Sequence, residues 1–270
     1  MKTGLDPNAA LTRYMPLSKF VGFLCNGITC SPACRFDDPW EGHVYFSAVV
    51  PALSSRENLA RLVNKAREWI SISCWHYAAA ESYAMWQIYG RSDDAVAVHT
   101  TIGRLKAVAM DFITQKRKGV SSPLAVVTQV KYIDPKRGSK PFQENDIFDV
   151  CFDHDQLPQD QDKQDWIGMM GGAFGVKLVA YEYEKEVRLL VLDENAPETM
   201  KIMTTPMPEG EGVLHIPVGD LEGFLTGISV SPKAPDWFVT IVKELTRRFG
   251  VTLDKIPVKK SELFTGPDLS

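Results

Sequence analysis

The sequence predicts an α+β chain, a mixed or antiparallel central sheet with flanking helices, in one domain over residues 1–270. Three observations predict it. Strand and helix patterns interleave irregularly, without the strand–helix rhythm of a doubly wound sheet. Hydrophobic residues make up 44% and charged residues 24% of the 270 positions, the balance of an ordinary globular chain long enough to bury its own core. No internal repeat or long low-complexity run breaks the pattern.

The elements follow in order. Residues 10–24 combine a short strand signal with a helical turn. Ser54-Ser-Arg-Glu57 has the form of a capping box, and Leu59, Leu62, Val63, Ala66 and Ile70 after it fall at helical spacing. A β-like piece covers Ile70 to Trp75. Ala78 to Tyr89 reads as a helix ended by Gly90. Ala95 to Thr100 reads as a strand, and Ile102, Leu105, Val108, Phe112 and Ile113 trace an amphipathic helix. Leu124 to Ile133 is a β-branched strand. Residues 134–172 read as a polar, acidic insertion. A strand over 176–192 follows, then a short one from Val213 to Val218. Pro235 suits the first turn of a helix whose stripe is Phe238, Ile241, Val242, Leu245 and Phe249, stopped by Gly250. Asp254 to Val258 suits a last edge strand.

Net charge is -4, which gives no general attraction to nucleic acid or anionic membrane. No apolar run approaches the roughly 18–20 residues that span a bilayer. Residues 1–8 carry no signal-peptide pattern, and five sparse cysteines fit a reduced, cytoplasmic compartment.

The segment 177–192 is the most unusual. On one strand, Glu182, Glu184, Glu186 and Arg188 share a face, with Tyr181, Tyr183, Lys185 and Val187 on the other. Three carboxylates against one guanidinium repel, so this strand either borders water or builds a site. Around Glu81, helical spacing sets Met85 and Ile88 or Tyr89 along one face, with Ser82 and Trp86 beside it. Large rings next to a carboxylate suit a pocket wall, and equally a core helix with Glu81 at its first turn.

Other clusters point less far. Cys25, Cys30, Cys34 and His43 are zinc-type ligands, but their spacing lacks the tight C-x2-C knuckle. Buried thiols are the simpler reading, and no metal is expected. Gly168 to Gly175 leads into a strand and lacks the lysine of a phosphate loop, so it reads as a flexible turn. The aspartates between 146 and 165 have no calcium-loop spacing. Cys74 reads as a buried structural thiol.

The order Arg13-Tyr14, Asp38-Pro39-Trp40-Glu41, Ser73-Cys74-Trp75, Glu81-Ser82, Met85-Trp86, Tyr89 and Glu184-x-Glu186-x-Arg188 resembles the bacterial domain-of-unknown-function 2971 family, over about residues 11–264. That family brings no assigned reaction. A looser similarity is to Arg-Ser-Glu type ADP-ribosyltransferases: Arg13, Ser71-Ile72-Ser73 and Glu184-Lys185-Glu186 occur in that order, although Glu182-x-Glu184 also fits. This resemblance implies an NAD-consuming mono-ADP-ribosyltransferase-like enzyme, with a role as a bacterial toxin or phage-defence effector. Glu186 is then the catalytic glutamate, facing the oxocarbenium-like centre left when nicotinamide departs. Glu184 orients an acceptor macromolecule of unknown kind, Arg13 grips the pyrophosphate and Ser73 braces the ribose. Tyr14, Trp75 or Tyr89 stacks on nicotinamide, and Glu81 and Trp86 complete the nucleotide pocket. The alternative is a non-catalytic ligand-binding or sensor module, built on Trp40, Trp75, Trp86 and the carboxylates, with the glutamates solvated or paired with Lys and Arg.

Overall fold

The computed structural model describes residues 5–38, 41–42, 64–90, 93–116, 124–134, 148–151, 167, 170–197, 201, 205 and 212–264. The Ser54–Glu57 capping box with Leu59, Leu62 and Val63 lies outside the described residues, as do Pro39, Trp40, His43 and most of the 134–172 insertion.

The strands are β1 (Ala10–Pro16), β2 (Ile28–Pro32), β3 (Ile70–Tyr77), β4 (Ala95–Thr101), β5 (Leu124–Gln129), β6 (Lys131–Ile133), β7 (Phe148–Cys151), β8 (Val176–Leu178), β9 (Glu186–Leu192), β10 (Leu214–Ile216), β11 (Gly227–Val230) and β12 (Val258–Lys260). The longer helices are α1 (Leu17–Asn26), α2 (Ile102–Lys116) and α3 (Asp236–Arg248). The architecture is α+β, with mixed, mostly antiparallel strand pairing and flanking helices. The chain groups into two compact units. One comprises Met1–Leu5, Thr29–Cys74 and Lys106–Ile216; the other comprises Asp6–Ile28, Trp75–Leu105 and Pro217–Ser270.

In the first unit the strands run β10-β2-β3-β9-β5-β7, β3 contributing its Ile70–Cys74 part. The β5–β9 register sets Leu124 opposite Leu192, Val126 opposite Leu190 and Thr128 opposite Arg188. Alternation then puts Leu124, Val126, Leu190 and Leu192 on one face, where they meet Ile70, Ile72, Trp69, Met170 and Phe174 in the core. Each such large side chain contributes about 1.5–3 kcal/mol on burial. β6 and β8 form a separate parallel pair.

In the second unit the order is β12-β11-β4-β1, followed by Trp75–Tyr77 of β3. β11 and β12 are parallel; the other pairs are antiparallel. α1 ends at Gly27, whose φ of 81° suits glycine and whose N–H donates to the Phe23 carbonyl.

Several sequence expectations are corrected. Ala78–Tyr89 is not one helix: Ser82 caps a single turn, Tyr83–Met85, which widens into a π-helical turn at Trp86–Gly90. Glu81 therefore precedes the helix. The Leu124–Ile133 strand divides at Val130, whose N–H donates to the Glu186 carbonyl. The 134–172 insertion contains β7, paired antiparallel with β5. The glycine-rich turn is helical over 170–174. A Cβ at Gly175 would sit 2.2 Å from the Gly171 carbonyl oxygen, so close backbone approach, not flexibility, requires glycine there. Pro235 is the N-cap of α3, one residue before the predicted position, and the last edge strand is displaced to Val258–Lys260.

Candidate functional site

The acidic segment is not one strand. β8 ends at Leu178, the chain coils through a 3-10 turn at Val179–Glu184, and Lys185 adopts the left-handed conformation (φ 43°, ψ 55°) before β9 begins. The turn changes the parity of the side chains. Glu182 and Tyr183 point to solvent, whereas Glu184 and Glu186 point inward. The four-residue charged face of a continuous strand thus reduces to Glu186 and Arg188 on β9, joined by Glu184 from the turn.

These groups meet two that the strand reading left out, Lys177 of β8 and Glu41. Arg188, fully buried, is the hub. Its Nη1 and Nη2 donate to the two Glu41 carboxylate oxygens at 2.5 and 3.0 Å, and its Nε donates to Glu186 Oε2 at 3.0 Å. Nη2 also lies 2.8 Å from that oxygen, and Nη1 donates to the Phe174 carbonyl at 2.7 Å. Lys177 Nζ binds Glu184 directly, stands 3.7 Å from Glu186 Oε2 and lies over the Tyr181 ring at 4.5 Å. The Tyr132 hydroxyl accepts the Glu186 backbone N–H at 2.8 Å. Three buried carboxylates thus share two cations.

The electrostatics follow from this packing. Burial alone would raise the Glu186 carboxyl, but the Arg188 guanidinium, Lys177 and hydrogen bonds from Cys74 and Arg188 outweigh it and hold the group below the ordinary carboxylate range. Burial would lower Lys177; the carboxylates of Glu186 and Glu184 reverse that and raise it. Burial pushes the Cys74 thiol well up, and adjacent Glu186 adds to the effect. The Tyr132 phenol is raised chiefly by burial, in part by Glu186.

A second group lies in the other unit. Glu81 Oε2 accepts from the Trp86 indole N–H at 3.4 Å and from the Ser261 hydroxyl. Tyr14 packs edge-on against Trp86 with centroids 4.9 Å apart, and its hydroxyl accepts the Ser82 N–H at 2.9 Å. Arg13 lies 5.7 Å over the buried Trp75 ring, a cation–π distance. Tyr89 is exposed. On the same unit's sheet, His99 bridges the Thr12 hydroxyl (2.9 Å) and the Ser229 hydroxyl (2.8 Å), and burial lowers its pKa.

The structure therefore brings Glu184 and Glu186 together in one unit, and Tyr14, Glu81 and Trp86, with Arg13 on Trp75, in the other. Ser73 is fully buried on β3, and period-two alternation puts it on the opposite sheet face from its neighbour Cys74, whose thiol Glu186 influences. Of the zinc-type residues, Cys25 and Cys34 are exposed and Cys30 is buried. Among the described residues no group of three or more His, Cys, Asp or Glu side chains is placed to hold a metal ion, and no helix is long and apolar enough to cross a membrane. Sequence reasoning missed Lys177 as a partner, although it opens the acidic run; only the turn that returns Glu184 to it reveals the pairing.

Comparison with known proteins gives no matching family model, no matching curated protein and no matching solved structure.

Proposed function

We propose that this chain is a non-catalytic ligand-binding or sensor module, of the kind its resemblance to the domain-of-unknown-function 2971 family leaves open, and that its Glu-x-Glu motif is an internal clamp. One observation carries the reading: the Glu186 carboxylate is buried and already held by Arg188 and Lys177. A carboxylate so engaged cannot face a developing positive charge on a sugar without first giving up a buried ion pair, and breaking such a pair costs about 3–5 kcal/mol.

NAD turnover tests it. Purified protein incubated with NAD should release no nicotinamide, and Glu186→Gln should lower stability without changing that result. Nicotinamide release by the wild type, abolished in a folded Glu186→Gln variant, would overturn the proposal. It would favour the ADP-ribosyltransferase-like enzyme in which Glu186 is catalytic and Glu184 orients the acceptor.

A further inference from the structure

Glu81 is half-buried, yet both hydrogen bonds to its carboxylate come from neutral donors, Trp86 Nε1 and the Ser261 hydroxyl. Among the described residues no cation lies within ion-pair distance of it. Lys260, next to Ser261, instead approaches Asp236 at 3.6 Å. The contrast with the buried carboxylates of Glu41, Glu184 and Glu186 is direct: each of those meets a guanidinium or ammonium group, and the half-buried Glu81 carboxylate does not. Such a charge is costly unless something positive joins it.

The surroundings have the chemistry to hold such a partner. The Glu81–Ser261 bond ties the segment after β12 to the segment before the helical turn. Each segment carries an exposed ring close along the chain, Tyr83 two residues after Glu81 and Phe264 three after Ser261, and the two meet edge-on with centroids 5.6 Å apart and an interplanar angle of 62°. Ring faces attract cations through their quadrupole, and they attract alkylated ammonium ions especially, because the methyl groups also bury apolar surface. The Ser261 hydroxyl is buried and its bond fixes one carboxylate oxygen, so the site is preorganised.

We infer that Glu81, with the Tyr83–Phe264 ring pair, forms a binding site for a small organic ammonium ion. The inference rests on the binding-module reading and gives its ligand a chemical class. Burial chiefly pushes the nearby Tyr14 phenol up, to about 12, against a lowering by its bond to Ser82, and Glu81 adds to the rise.

The test titrates the full chain with choline and, separately, with 3,3-dimethylbutan-1-ol, its neutral carbon analogue, by calorimetry and intrinsic fluorescence. Choline should bind saturably and the alcohol at least about tenfold more weakly, with choline affinity falling as salt is raised. Glu81→Gln keeps an acceptor for Ser261 and removes the charge; it should weaken choline at least about tenfold, and the exposed Phe264→Ala several-fold. Equal binding of choline and the alcohol, no binding of either, or unchanged choline affinity in Phe264→Ala or a folded Glu81→Gln would overturn the inference. The nicotinamide-release assay on the same preparation reports separately on whether the chain is a binding module.

Discussion

Replacing Arg188 with methionine is the sharpest perturbation this structure offers. Methionine keeps much of the volume and removes every donor. Glu41 then loses both of its contacts, Glu186 loses two and the Phe174 carbonyl loses one, all in the interior. Removing one partner of a buried pair costs about 3–5 kcal/mol, and because Glu41 is left without a cation among the described residues while Glu186 keeps only Lys177 at 3.7 Å, the upper end applies, about 5 kcal/mol. That equals the whole stability of a weak domain, given the usual range of about 5–15 kcal/mol. Urea unfolding followed by tryptophan fluorescence and circular dichroism measures the loss, as a lower midpoint at unchanged slope. A companion variant separates charge from volume. Glu41→Gln and Glu186→Gln added to Arg188→Met remove the stranded charges and should restore at least about 2 kcal/mol, since neutral replacement of a buried ion pair is often near neutral in cost. An Arg188→Met protein within about 1 kcal/mol of wild type, or a triple variant no better than the single one, would refute the view that these ion pairs are internally balanced.

Two other predictions follow from the same packing. Glu186 is held below its unfolded value, so its contribution to stability is complete above the unfolded carboxyl range, about pH 4.3, and disappears as pH falls through the lower folded value; Lys177, held above its unfolded value, contributes up to about pH 10.4 and loses this as pH rises through the folded value. Melting temperature against pH should therefore drop at both ends, and Glu186→Gln should flatten the acid limb. Site-resolved alkylation with iodoacetamide at pH 8 should modify exposed Cys25 and Cys34 readily and leave the half-buried Cys74 largely unmodified, because desolvation and the adjacent Glu186 carboxylate keep its thiol protonated; fast labelling of Cys74 in folded protein would overturn this reading.

The fold class was legible because long periodic segments govern it. The Ile102–Ile113 stripe became a helix of the expected phase. The Phe238–Phe249 stripe also became a helix, but its buried positions are Phe238, Val242 and Thr246, while Ile241 and Phe249 are exposed. The short strand β10 was read from Val213–Val218, whereas β2 and β11 were not legible: β11 has four residues and β2 ends in proline, too little pattern to separate from loop. The acidic motif was misread for a specific physical reason. Alternation assumes an unbroken strand, and a 3-10 turn closed by a left-handed lysine leaves no composition signal, since neither valine nor lysine marks a turn. Likewise the helix over 78–89 was lost to the cap at Ser82, whose side chain accepts the Met85 N–H at 3.4 Å and starts the turn later than the apolar pattern suggests.

The bend at Lys185 also constrains how this protein can diversify. The residue count between Leu178 and Glu186 decides which acidic side chains reach the interior, so dropping or adding one amino acid there would exchange the two buried faces of β9 and carry Glu186 and Arg188 away from Lys177 and Glu41. Substitutions at Glu182 or Tyr183 should pass through natural variation almost unnoticed, while length changes in this stretch should be absent from every functioning descendant.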